Sequence, residues 1–304
     1  MTNLLIVGGT GFFGKSLIKY LYESKIKKKF KKIYLLSRKK KTIKKITIKN
    51  IQVNLLTINN LPKIKYIIYL AKLKNSRKDI VAAKNFLKIL EKTKSKERIN
   101  LLYVSSGAVY GEINKKKLIN ENYLLKNKRI RFSDSKKEDY AFSKIECEKI
   151  FLNCKIKNLD VRIARCFTFT GEFLKDKRFA IVEFINSILK KKRIIFKANH
   201  EVYRSYMYSD QLSEWLIKIL FKKNIKFRVF NVGSDDKIEL SKLAKILSLK
   251  FGTNLIKKNR IKKKINFYVP SVARYKRVFN FKKKQSSLSA IITTIKKINH
   301  AKTN

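Results

Sequence analysis

The feature that most restricts this chain is a short apolar run that stops on glycine: Leu4-Leu5-Ile6-Val7 leads straight into Gly8-Gly9-Thr10-Gly11-Phe12-Phe13-Gly14. Consecutive apolar residues without polar alternation fit a strand covered on both faces, as in a parallel sheet, and the stretch from Lys15 to Glu23 predicts a helix after it. Glycines at such a strand-to-helix turn permit a tight bend, close approach of the backbone to a pyrophosphate, and close packing of helix on strand. They leave the helix amino end aimed at the anion. The strand signature returns at Ile33 to Leu36, Ile67 to Leu70 and Leu101 to Val104, with a helical pattern (Val81, Ala82, Phe86, Leu87, Leu90) before the last. This alternation predicts an α/β fold, a Rossmann-type doubly wound parallel sheet with right-handed crossovers.

After Val161 to Ala164 the alternation loosens. Helices are expected over Phe179 to Leu189, Leu212 to Phe221, Leu240 to Phe251 and Leu288 to Ile298, with strands over Ile194 to Phe196, Tyr203 to Met207 and Val229 to Val232. No linker separates the halves. The expected organisation is a dinucleotide-binding domain over residues 1–164 and a smaller α/β substrate-binding lobe over residues 165–304, with segments around 204–233 returning to the first domain.

Charge is the unusual number: 75 Lys and Arg against 21 Asp and Glu give a net +54 over 304 residues. Such a balance attracts phosphate, so RNA or another polyanion is a partner class to weigh. However, 61 of the cations are Lys and only 14 are Arg, the residue suited to gripping phosphate oxygens in pairs. The lysines are dispersed: Lys27 to Lys29 with Lys31 and Lys32, Lys39 to Lys41, Lys190 to Lys192, Lys262 to Lys264 and Lys282 to Lys284. With abundant Ile and Asn they read as drift toward A/T-rich codons on a solvated surface, and nucleic acid is not the expected partner. Three cysteines, Cys147, Cys154 and Cys166, lack metal or disulfide spacing, and two histidines, His200 and His300, make a His-based triad or metal site a poor expectation. No run approaches a signal peptide or a membrane span, so a cytoplasmic protein without membrane insertion is expected.

Two further constellations carry chemistry. The second strand ends Leu36-Ser37-Arg38, with no acid to accept bonds from a ribose 2′-hydroxyl; Ser followed by Arg suits a 2′-phosphate and favours NADP(H), with NAD(H) the alternative. Arg38 could equally begin the exposed Lys39 to Lys41 run. Ser105-Ser106 closes a buried strand, and Tyr140 and Lys144 stand i, i+4 on one face of an expected helix. A nearby ammonium favours phenolate and makes tyrosine useful in acid-base work near neutrality, while a serine hydroxyl can hold the reacting oxygen.

GxxGxxG at Gly8 to Gly14, Ser-Ser-Gly-Ala-Val-Tyr-Gly at Ser105 to Gly111, and YxxxK at Tyr140 to Lys144, in this order, resemble the extended short-chain dehydrogenase/reductase family. These are NAD(P)-dependent nucleotide-sugar epimerases, dehydratases and reductases. Arg165 to Gly171 resembles its RxFNxYG stretch, Arg204 to Tyr208 its RxxxY segment, and Asn231-Val232-Gly233 its NxG turn. The resemblance implies Ser106, Tyr140 and Lys144 as catalytic residues. It places the cofactor on Gly8, Thr10, Gly11, Phe12, Phe13, Gly14, Ser37, Arg38, Leu70, Ala71, Tyr140 and Lys144. A nucleoside-diphosphate sugar falls to Ser106, Thr168, Arg204 and Arg274, and no metal is implied.

The departures matter as much. The family's 4,6-dehydratases carry Asp-Glu after the catalytic residue, whereas this chain has Gly107-Ala108. Asn54, Thr168 and Gln211 stand where Asp, Asn and Asp are common in the family. The resulting expectation is a nucleotide-sugar epimerase or 4-keto-sugar reductase, with a 4,6-dehydratase or a non-catalytic polyanion-binding module as alternatives. The helix beginning near Asp79 and the Tyr140 helix resemble the pair that builds the family's homodimer.

Overall fold

A computed structural model describes residues 2–38, 48–52, 54–73, 75–123, 132, 134–259, 262–281 and 285–303. The Lys39 to Lys41 and Lys282 to Lys284 clusters lie outside them. The chain forms two compact units: the first takes residues 1–109, 132–166 and 213–230, the second residues 110–131, 167–212 and 231–304.

The first unit is built on a seven-stranded sheet. Its strands are β1 (Thr2–Val7), β2 (Phe30–Ser37), β3 (Ile48–Gln52), β4 (Tyr66–Tyr69), β5 (Ile99–Ser106), β6 (Leu159–Cys166) and β11 (Val229–Val232), in the order β11-β6-β5-β4-β1-β2-β3. Strands β1 to β6 all run parallel. Because the chain winds outward in opposite directions from the adjacent β1 and β4, the carboxyl ends of β1, β4 and β5 share one edge, where a doubly wound sheet leaves its ligand crevice. Leu4 to Val7 are fully buried, as the apolar run requires.

Helices flank this sheet. Helix α1 (Phe12–Glu23) buries Leu17, Ile18 and Leu21 on one stripe. It begins at Phe12 rather than Lys15, since Gly11 enters it with extended backbone and accepts the Lys15 N–H. Helix α2 (Ser76–Lys92) is capped by the Asn75 side chain accepting from Lys78 N at 3.1 Å, and α3 (Ser135–Leu152) by Asp134 accepting from Lys136 N at 2.8 Å. The buried residues of α3 are Ala141, Ser143, Lys144, Cys147, Glu148 and Phe151, so one cation and one carboxyl face inward at helical spacing.

In the second unit β9 (His200–Arg204) lies between β12 (Ile238–Glu239) and β14 (Lys262–Tyr268). Two parallel pairs accompany it, β7 (Phe169–Thr170) with β10 (Met207–Tyr208) and β8 (Ile194–Phe196) with β13 (Leu255–Lys257). Helices α4 (Ala180–Leu189), α6 (Leu240–Lys250) and α8 (Ser287–Thr303) enclose a core including Phe184, Phe196, Leu243, Leu247 and Ile291. A short α7 (Ala273–Phe279) completes the unit, and α5 (Ser209–Phe221) carries the chain from the second unit into the first. The expected strand Tyr203 to Met207 is two strands: Tyr206 N donates to Ser287 Oγ at 2.9 Å and leaves the ladder. Among the described residues no helix is long and apolar enough to cross a membrane.

Candidate active site

At the carboxyl end of β1 the chain turns through the glycine run. Gly8 takes φ +86°, a left-handed conformation that side chains resist, and a Cβ there would stand 2.5 Å from Ala71 Cα. At Gly14 a Cβ would stand 2.2 Å from Gly9 Cα, so glycine is what lets α1 pack onto its own turn. Gly11 is the opposite case: it is exposed, with open space where its Cβ would be. The turn is therefore closed toward the protein and open toward solvent at the amino end of α1, beside Thr10, Phe12 and Phe13. Leu70 N donates to Val7 O at 2.8 Å, bringing Leu70 and Ala71 to the same edge. Ser37 is buried at the end of β2, and Arg38 is exposed with its carbonyl accepting from Gln52 Nε2 at 3.4 Å. This cradle fits a dinucleotide: glycine where bulk would clash, and the positive amino end of α1 where a pyrophosphate would lie.

Ser106 ends β5 on that edge. Its Oγ accepts from Ala108 N at 3.1 Å, which leaves the hydroxyl hydrogen available. Tyr140 and Lys144 sit on α3 as expected, but the lysine's company is richer than a simple pair. Lys144 is 5 % exposed, donates from Nζ to Tyr103 Oη at 3.1 Å, and lies 6.0 Å from the centre of the half-buried Tyr140 ring. A second ammonium, that of Lys72, lies only 4.2 Å from the same ring centre. Buried Asp79 accepts from Leu73 N at 2.6 Å. Burial raises its carboxyl, against the Leu73 N–H and the fields of Lys144 and Lys72, which lower it. Burial also raises the phenol of Tyr103 and pushes the Cys147 thiol up to about 11, so both stay protonated near neutrality.

The sequence reading did not find Lys72, Asp79 or Tyr103, because each meets the site from a separate element with no fixed spacing from Tyr140. Behind the site, Arg165 clasps Glu148, donating from Nη2 at 2.7 Å and from Nε at 3.0 and 3.1 Å, and Ser105 Oγ donates to Glu148 Oε1 at 2.5 Å.

The remaining expected residues belong to the second unit. Arg204 is half-buried; its Nη1 donates to Tyr203 O at 2.8 Å and Asn266 O at 3.3 Å, and its guanidinium lies 5.7 Å from the Tyr268 ring centre. Desolvation lowers its pKa, against the fields of Tyr206, Tyr268 and Glu112, which raise it. Arg274, in contrast, is engaged with Glu121 at 3.7 Å and donates to Asn122 Oδ1 at 2.8 Å. The Thr168 hydroxyl oxygen is buried and has no hydrogen-bond partner among the described residues.

Residues 4–233 match the family model of the NAD dependent epimerase/dehydratase family. No curated protein matches the chain significantly. Among solved structures, dTDP-glucose 4,6-dehydratase from Bacillus anthracis, in complex with NAD, is similar at a TM-score of 0.79 and 14% identity, covering 100% of this chain and 98% of that one. UDP-glucose 4-epimerase from Thermotoga maritima, with UDP-glucose, is similar at 0.76 and 16%, covering 99% and 100%. MoeE5 in complex with UDP-glucuronic acid and NAD is similar at 0.78 and 16%, covering 98% and 99%. At these identities the similarity is one of fold.

Proposed function

The chain belongs to the NAD dependent epimerase/dehydratase family, and we propose that within it this protein is a nucleotide-sugar epimerase or 4-keto-sugar reductase acting on a nucleoside-diphosphate hexose. The observation that carries this reading is Tyr140, on the buried-sheet unit that also carries the glycine cradle, with two ammonium groups close to its ring. Tyr140 Oη gives or takes the proton of the reacting sugar hydroxyl. Ser106, whose Oγ already accepts from Ala108 N, donates its own hydrogen to the same sugar oxygen. Lys144, held by Tyr103, supports the phenolate and contributes a donor to the cofactor ribose. The bound nicotinamide cofactor supplies hydride exchange at the sugar carbon. Gly107 and Ala108 follow Ser106 and offer no carboxyl for eliminating water, which separates this reading from a 4,6-dehydratase.

Within the same reading, Ser37 and the exposed Arg38 favour NADP(H) over NAD(H), because no acid stands at the end of β2. Thr168 and Arg204 contact the sugar nucleotide, Arg204 as the grip on its diphosphate, with Arg274 available once released from Glu121. A homodimer through α2 and α3 is supported by the exposed Val81 and Phe142 on those helices. The test is turnover by the purified protein with each cofactor and a panel of nucleoside-diphosphate hexoses and their 4-keto forms. Net loss of reduced-cofactor absorbance identifies a reductase, and isomer formation without net loss identifies an epimerase. Water elimination, or no reaction across the panel, overturns the reading.

A further inference from the structure

The cation nearest the Tyr140 ring is not its motif partner. Lys72 Nζ is 4.2 Å from the ring centre and Lys144 Nζ is 6.0 Å away, with a hydrogen bond committed to Tyr103. Lys72 follows Leu70 and Ala71 beyond the carboxyl end of β4, so the connection after that strand brings it to the ring. A cation over an aromatic face is attracted by the ring's quadrupole, and more strongly when that ring carries the negative charge of a phenolate.

We propose that Lys72 is a positioning residue for the acid-base: its ammonium fixes the Tyr140 ring and stabilises its phenolate form alongside Lys144, which also serves Tyr103 and the cofactor ribose. The inference rests on Tyr140 being the acid-base. Among the described residues, the charged and titratable groups tied to Tyr140, directly or through a lysine, include Lys72 from the β4–α2 connection, Asp79 from α2, Tyr103 from β5, Lys144 and Cys147 from α3, and Cys166 from β6, whose thiol burial raises. Tyr103 and Cys147 stay neutral for the reason given above. Asp79 answers both lysines together, so it does not single out Lys144 as the phenolate's counterion. Lys72 is also exposed, so replacing it disturbs no core.

The experiment is a tyrosinate absorbance titration of the cofactor-free protein. The chain has 14 tyrosines, so the Tyr140→Phe protein is the subtraction blank for each variant. In Lys72→Met the Tyr140 component moves to higher pH by about one unit, and kcat at neutral pH falls about tenfold with KM nearly unchanged. Lys72→Arg, which keeps a cation able to stack on the ring, stays near wild type in both. A Lys72→Met component that titrates like wild type overturns the proposal, as does an equal shift in Met and Arg variants. Full turnover by Tyr140→Phe would instead sink the acid-base reading, and the absorbance would still decide whether Lys72 and Tyr140 are paired.

Discussion

Two arginines, one in each unit, differ in what answers their charge. Arg165 on β6 meets both oxygens of the buried Glu148, and Ser105 completes the carboxylate's shell, so the charge is neutralised inside the sheet unit. Arg204 on β9 is held by two backbone carbonyls and an aromatic ring, all neutral. Desolvation works against its charge, and the fields of Tyr206, Tyr268 and Glu112 offset only part of that. The first arrangement maintains the fold. The second leaves a half-buried guanidinium whose planar fork suits the diphosphate proposed for it.

The contrast breaks most visibly at Glu148. Glu148→Gln strands the Arg165 charge in the interior and is expected to cost about 3–5 kcal/mol, read from urea unfolding. Arg204→Met should change stability by no more than about 1 kcal/mol, because it loses two carbonyl contacts and a ring contact while its removal relieves a desolvated charge. Its effect falls on the sugar nucleotide, with KM raised roughly 10- to 100-fold and cofactor affinity unchanged. If Arg204→Met unfolds as readily as Glu148→Gln, both arginines are structural and the distinction fails.

Asp79 sharpens the comparison with the smallest effect. Burial raises its folded-state pKa above the ordinary carboxylate value despite two nearby lysines. Its contribution to stability is thus full below the unfolded-state value and is lost as pH rises through the folded one. Asp79→Asn can keep the bond from Leu73 N and removes that loss, so its melting temperature should gain on wild type as pH rises above the ordinary carboxylate value toward neutrality. A wild-type advantage growing over that range would mean that the lysines outweigh burial, making Asp79 a paired group like Glu148.

What could be read from the sequence follows the same division. The first unit announced itself because its information is local: an apolar run, a glycine turn and an i, i+4 pair lie within a few residues each. Strand β3 escaped because Ile48–Gln52 mixes Lys and Asn into an edge strand that needs no continuous apolar run. In the second unit β7, β12 and β13 are only two or three residues long, too short for any period to register. Site residues escaped for a related reason. Tyr140 and Lys144 share a helix, but Lys72, Asp79 and Tyr103 come from a loop, another helix and a strand, and only the parallel sheet brings them together. Arg165 appeared in a recognisable motif, yet its partner Glu148 is what reveals it as internal.

The central claim, that Tyr140 is the acid-base of a hydride-transfer reaction on a sugar nucleotide, is tested most directly by Tyr140→Phe. The account predicts unchanged folding and cofactor binding with kcat reduced about 10²- to 10⁴-fold on whichever sugar nucleotide the wild type turns over. A Tyr140→Phe protein that binds the cofactor and turns over at the wild-type rate would contradict it.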